Sequence, residues 1–296
     1  MKTSVNLYKV KHHPNNTEAL QKYELLVGLE KQKKQLLSHL RLILDRTTLS
    51  NWEDKYHKEG LKVLSNSLKF SPLILLSGDV GCGKTELASV IGSKLSKELG
   101  NRMVHTFETP SDLRGNGRVG ELSARITAAF NQLSELKDSE LGILIIDEAD
   151  DLASSRDGEQ QHHEDRAGVN ALIKELDRLE KNGINVAVIF ITNRSKAMDP
   201  AILRRAAVEI RFMRPGAEEL REIFSQITDG INCNQNDLED LVNLCLQKDI
   251  QFTFSDLYRR VIKQALINAW SDDVSFSISE LKKSIKETTP TPNFKI

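Results

Sequence analysis

The chain has 296 residues, a formal net charge of -1 and 39% hydrophobic residues, which suits one or two domains with an ordinary core. That charge balance argues against coating nucleic acid, and the longest apolar runs, near residues 73–76, 143–146 and 186–191, fall far short of the ~20 residues of a bilayer span. The opening Met1-Lys2-Thr3-Ser4-Val5 lacks an apolar signal core, and Cys82, Cys233 and Cys245 form neither a metal spacing nor an even disulfide set, so reduced thiols in a cytoplasmic protein are expected.

Residues 1–22 are polar and are broken by His12-His13-Pro14-Asn15-Asn16, the pattern of a flexible tail. From Tyr23 the character changes, and Leu36, Leu37, Leu40, Ile43 and Leu44 recur at helical spacing. A polar stretch over 45–69, with Trp52 and Tyr56, leads to the apolar run Leu73-Ile74-Leu75-Leu76. That strand runs directly into Gly78-Asp79-Val80-Gly81-Cys82-Gly83-Lys84-Thr85, the pattern G-x-x-x-x-G-K-[ST]. Residues 86–99, starting at Glu86, predict a helix, with Leu87, Val90, Ile91 and Leu95 on one side. A strand over 103–107 precedes the glycine-rich loop 109–120, which holds Arg118 and Val119, and a helix is expected over 121–136. Residues 141–146 are apolar almost throughout, as a strand covered on both faces requires, and end in Asp147-Glu148-Ala149-Asp150-Asp151.

The polar loop 154–165 contains His162-His163-Glu164-Asp165, which reads as solvated and not as a metal cluster. A helix over 166–179, a strand over 186–192 ending at Asn193, a proline-initiated helix from Asp199-Pro200 and a strand over 207–212 complete an alternating pattern. Such alternation predicts a parallel, doubly wound α/β layer. Arg214-Pro215-Gly216 marks a boundary, beyond which helical patterns over 218–227, 236–248, 253–270 and 278–286 predict a small all-helical domain. The expected organisation is a tail over 1–22, a large α/β domain over 23–213, a helical lid over 214–287 and a loose tail over 288–296 with Pro290 and Pro292.

The chemistry follows from the residue types. Glycines at this spacing let backbone N–H groups curl around phosphate oxygens, Lys84 brings a charge to the β and γ positions, and Thr85 offers a hydroxyl to magnesium. Asp147, at the carboxyl end of a buried strand, suits the magnesium that bridges those phosphates, and Glu148 beside it suits polarisation of an attacking water. Taken alone, the acidic pair is also what ends a strand in solvent, and Asn193 is an ordinary turn residue. Arg204 and Arg205 read either as surface charges or as a finger toward the γ phosphate of a neighbouring subunit. Cys82 reads as a small residue of the loop.

Together with Val27-Gly28-Leu29-Glu30, Gly117-Arg118-Val119-Gly120-Glu121, Val169-Asn170-Ala171-Leu172-Ile173, Thr192-Asn193-Arg194, Asp199-Pro200-Ala201-Ile202-Leu203-Arg204 and Phe254-Ser255-Asp256-Leu257, these motifs resemble AAA+ ATPases of the protein unfoldase branch over residues 23–286. The resemblance implies a P-loop fold with a five-stranded parallel sheet, ATP and Mg2+ as ligands, ATP hydrolysis, and a ring-forming homo-oligomer, a hexamer. It implies nucleotide contacts from Val27, Gly28, Asp79, Val80, Gly81, Cys82, Gly83, Lys84, Thr85 and Glu86, and metal contacts from Thr85 and Asp147. Glu148, Asn193, Lys84 and Arg204 or Arg205 take catalytic roles, and Arg118 and Val119 form the pore loop. Three departures stand out: Ala207 replaces a second finger arginine, Arg118 replaces the pore-loop aromatic, and Asp256 stands where clamp loaders carry an arginine. Compact size, almost no N-terminal domain and Arg205-Ala206-Ala207 resemble the bacterial relatives of the pachytene-checkpoint ATPases. That resemblance implies remodelling of a HORMA-domain protein in cyclic-oligonucleotide anti-phage signalling, without membrane or nucleic acid. The competing class is a DNA-associated motor such as a transposition helper or clamp loader, against which the near-neutral charge and Asp256 speak.

Overall fold

Among the described residues six strands form where the chain is apolar or edge-paired: β1 (Val10–His12), β2 (Leu73–Gly78), β3 (Val104–Glu108), β4 (Leu141–Ile146), β5 (Val186–Thr192) and β6 (Ala206–Phe212). The computed structural model describes residues 8, 10–12, 16–66, 71–109, 121–133, 135–137, 139–153, 163–182 and 185–293. The sheet order is β1-β3-β4-β5-β2-β6. β3, β4, β5 and β2 pair in parallel, with Ile143 opposite Ala187 and Leu73 opposite Val188. The parallel five-stranded layer expected from the sequence is therefore present, and β1 adds an antiparallel edge beside β3.

Every residue of β4 and β5 is buried, because helices cover both faces. The helices run α1 (Thr17–Leu25), α2 (Glu30–Leu44), α3 (Arg46–Tyr56), α4 (Lys62–Asn66), α5 (Lys84–Glu98), α6 (Glu121–Leu133), α7 (Ala149–Leu152), α8 (His163–Asn182) and α9 (Pro200–Leu203). Ile126, Phe130 and Leu133 of α6 and Leu172, Leu176 and Leu179 of α8 pack with Leu75, Leu144, Val188 and Phe190. On the other face α5 lies so close that a Cβ on Gly92 would meet Thr106 Oγ1 at 2.3 Å. The chain divides into two compact units. One comprises Met1–Tyr23, Gln32–Ser77 and Thr85–Arg211; the other comprises Glu24–Lys31, Gly78–Lys84 and Phe212–Ile296.

Two stretches of the first unit differ from their polar sequence pattern. Tyr8, only 4% exposed, packs 5.0 Å from the Phe107 ring and donates its hydroxyl to the Ala129 carbonyl, so this aromatic joins the core. Within 45–69, Asp45 accepts the hydroxyls of Thr47 and Thr48 at the start of α3. That helix buries little, and Trp52 and Tyr56 stay exposed at a ring separation of 6.2 Å, which is why no apolar periodicity announces it.

In the second unit the helices are α10 (Ala217–Ile227), α11 (Gln235–Leu246), α12 (Phe254–Asp256), α13 (Lys263–Ser271) and α14 (Ile278–Glu287), with a π-helical segment, Leu257–Ile262, joining α12 to α13. Leu220, Phe224, Leu241, Val261, Leu281 and Ile285 form its interior at 0 to 1% exposure. Capping is explicit: Asn234 Oδ1 accepts Asp237 N at 3.0 Å, and Thr253 Oγ1 accepts Asp256 N at 3.0 Å. The segment after α14 is bonded, with Pro290 buried and Thr291 held by Asp256.

Candidate active site

The phosphate loop 78–84 has the backbone its glycines permit. Gly78 takes φ +135, and a Cβ there would lie 2.0 Å from the Phe212 carbonyl oxygen, so only glycine fits between strand and loop. Gly81 takes φ +74, and its Cβ would press Ser255 at 2.9 Å. Lys84, 5% exposed, donates its ammonium to the Gly78 carbonyl at 2.9 Å and the Asp79 carbonyl at 2.7 Å, which sets a full positive charge within the curl. Asp79 also accepts Val80 N at 2.9 Å, while the Val80 side chain is exposed. Burial is the main cause that pushes the Cys82 thiol up to about 11, so it is protonated at neutral pH and acts as a small apolar residue. Gly28 takes φ +78, with Phe254 Cε1 3.0 Å from the position of a Cβ, and Leu29 packs toward Gly83. Val27 N bonds the Leu25 carbonyl at 3.0 Å.

In the first unit Thr85, Asp147, Glu148 and Asn193 lie at the carboxyl ends of strands or the start of α5. Thr85 Oγ1 donates to Asp147 Oδ2 at 2.7 Å, and Glu148 N donates to Asp147 Oδ1 at 2.8 Å. Each carboxylate oxygen of Asp147 thus has a donor that fixes it. Glu148 adopts a left-handed conformation, φ 52 and ψ 41, which turns the chain sharply at the end of β4 and leaves the side chain exposed. Ile146 pairs with Phe190, so Asn193 follows β5 on the neighbouring strand, half-buried. The hydroxyl and carboxylate oxygens of Thr85 and Asp147 are the hard donors a Mg2+ ion takes beside phosphate and water. Glu86 follows them on α5, exposed.

One further tie has no signature in the motif spacing. Thr192 Oγ1 donates to Asp150 Oδ1 at 2.7 Å and accepts Arg194 N at 2.8 Å, which anchors the end of β5 to α7. The two arginines separate clearly. Arg205 forks onto Asp177, with Nε to Oδ1 at 2.7 Å and Nη2 to Oδ2 at 3.0 Å, and bonds the Ala201 carbonyl. That pairing raises the Arg205 pKa and lowers that of Asp177. Arg204 is exposed and bonds the Pro200 carbonyl through Nε at 3.2 Å. Arg118, Val119 and His162 lie outside the described residues. Arg214, which the sequence offers only as a boundary, grips Asp79 of the loop at 2.7 Å.

A phosphate loop after β2, an acidic pair after β4 and an asparagine after β5 define a P-loop nucleoside triphosphatase. Residues 74–214 match the family model "ATPase family associated with various cellular activities (AAA)". "CD-NTase-associated protein 6" of Escherichia coli (strain MS 115-1) is 37% identical over 281 residues, 91% of this chain and 90% of the relative. Among solved structures, a chain of "Structure of E. coli MS115-1 HORMA:CdnC:Trip13 complex" aligns with TM-score 0.91 and 35% identity over 98% of both chains. A chain of "Structure of Rhizobiales Trip13" aligns with TM-score 0.78 and 30% identity, covering 97% of this chain and 100% of its own. The chain belongs to the AAA ATPases and, within them, to the family of CD-NTase-associated protein 6. It binds nucleotide and hydrolyses ATP. Among the described residues no helix is long and apolar enough to cross a membrane.

Proposed function

We propose that this ATPase works as a ring of identical chains, a hexamer, that remodels a HORMA-domain protein in anti-phage signalling within the cytoplasm. The observation that carries the reading is the likeness over 98% of both chains to a chain from a complex named for a HORMA protein and Trip13. Lys84 holds the β and γ phosphates. Thr85 and Asp147 hold Mg2+, which when bound neutralises phosphate charge. Glu148 draws the proton from the attacking water, and Asn193 orients that water. Val27, Gly28 and the backbone from Asp79 to Glu86 hold the rest of the nucleotide. Arg204 is the finger that reaches a neighbouring copy, because Arg205 is engaged with Asp177. Val119, with Arg118 beside it, grips the partner polypeptide.

The test uses Glu148→Gln, which removes the base and keeps the side-chain size. ATP binding is expected to persist while phosphate release falls by at least about 100-fold. The ATP-loaded variant should retain a HORMA-domain protein on size-exclusion chromatography, and that protein should stimulate the wild-type ATPase. Wild-type turnover in the variant would refute the role of Glu148. Stimulation by DNA in place of the HORMA-domain protein would refute the choice of partner.

A further inference from the structure

Two groups in the second unit hold the phosphate loop and the C-terminal segment at the same time. The first is Arg214, whose side chain is 9% exposed and lies 2.6 Å from Asp79 through Nη2. Its Nε donates to Asp79 Oδ2 at 2.7 Å, its Nη1 to the carbonyls of Gln251 at 2.5 Å and Thr291 at 2.7 Å, and its Nη2 to the Pro292 carbonyl at 3.0 Å. The second is the turn at residues 253–256, where Ser255 N donates to the Gly81 carbonyl at 3.0 Å. From the same turn Asp256, 2% exposed, accepts Thr291 N at 3.0 Å and Thr291 Oγ1 at 2.7 Å.

Charged groups buried to this degree are tolerated only while their partners are in place. If residues 290–292 leave, Arg214 loses two of its carbonyl acceptors and Asp256 loses two donors; Arg214 fixes Asp79 directly, and Asp256 closes the 253–256 turn whose Ser255 N holds the Gly81 carbonyl. We infer that residues 290–292 form a C-terminal strap whose docking sets the shape of the phosphate loop through Arg214 and the 253–256 turn, so that strap docking and nucleotide binding favour each other. Reciprocity then requires that nucleotide on the loop hold the strap as firmly as the strap holds the loop. Arg214 is a positioning residue: it acts on nucleotide through Asp79. The inference rests on nucleotide binding at the loop and is independent of the partner protein.

Two measurements test it on the full chain. Hydrogen exchange of the Thr291 amide in the wild type is expected to slow by about tenfold or more on saturation with ADP. Removing residues 290–296 should raise the Kd for a fluorescent ADP analogue by about tenfold, the scale of one charge-assisted hydrogen bond, whereas removing only 294–296 should leave it within about twofold. Arg214→Lys keeps the charge but not the fork, so it should weaken binding alone, and adding the strap deletion should cost little more. Exchange at Thr291 indifferent to ADP would overturn the inference, even if the deletion proved too unstable to assay. So would a strap deletion that lowered the melting temperature but left the Kd within twofold. A wild-type chain that failed to bind ADP would instead overturn the nucleotide-site reading itself.

Discussion

Asp256→Asn removes one buried charge with almost no change in shape, and its cost can be worked from the groups around the carboxylate. Burial raises the pKa of Asp256, but hydrogen bonds from Thr291, from the backbone of Thr253 and Thr291, and from Arg260 outweigh it and bring the carboxyl from 3.8 down to about 2. A carboxyl whose folded pKa lies below its unfolded value stabilises the fold at any pH above the unfolded pKa. That contribution fades as pH falls from about 4 toward 2. At ~1.36 kcal/mol per pH unit the difference amounts to about 2 kcal/mol at pH 7, of which about half remains at pH 3. The asparagine amide also turns an N–H donor toward a site built of donors. Native-state hydrogen exchange in α14, whose Leu281 and Ile285 are fully buried, reads the opening of the second unit. Wild-type protection is expected to exceed that of the variant by about 30-fold at pH 7, with the gap narrowing as the pH approaches 3. Equal protection at pH 7, or a gap that does not narrow in acid, would refute the assignment of this stability to the ionised carboxylate.

Arg204→Ala should abolish turnover, a loss of about 1000-fold or more if it is the finger, and mixing it with Lys84→Ala subunits should restore part of the activity because the two defects complement across one interface. Arg205→Ala should instead lower the melting temperature through the loss of its Asp177 fork while leaving measurable turnover; the reverse ranking in a phosphate-release assay would move the finger to Arg205. Thr192→Val removes the hydroxyl that ties the end of β5 to Asp150. Hydrolysis should drop on the order of tenfold with ATP affinity little changed, since the displaced group is Asn193 and not a phosphate ligand.

Features that depend on neighbours along the chain could be read from residue order. The glycine spacing, Lys84 and Thr85 prescribe a phosphate loop, the run 141–146 followed by Asp147-Glu148 prescribes a covered strand ending in acid, and 3.6-residue periodicity marks α5, α10, α11 and α14. The capping boxes of the second unit, Asn234 with Asp237 and Thr253 with Asp256, are found in the structure and confirm where α11 and α12 begin. The N-terminal strand was hidden, because three residues paired at the edge of the sheet are too few to show an apolar alternation. The helix α3 was hidden for the related reason that it buries little.

Which charges meet is a property of the folded chain. Arg214 lies 135 residues from Asp79 and 77 from Thr291, Asp256 lies 35 from Thr291, and Arg205 lies 28 from Asp177. An arginine or aspartate in sequence carries no record of a partner so distant, because the pairing is set by how sheet and helices bring remote backbone together. The same residue type therefore reads as a solvated charge until the fold removes its water and supplies a partner. Thus the motif alone showed that a nucleotide is held, whereas the bonds that clamp Asp79, free Arg204 from the fork that engages Arg205, and fasten residues 290–292 belong to the fold.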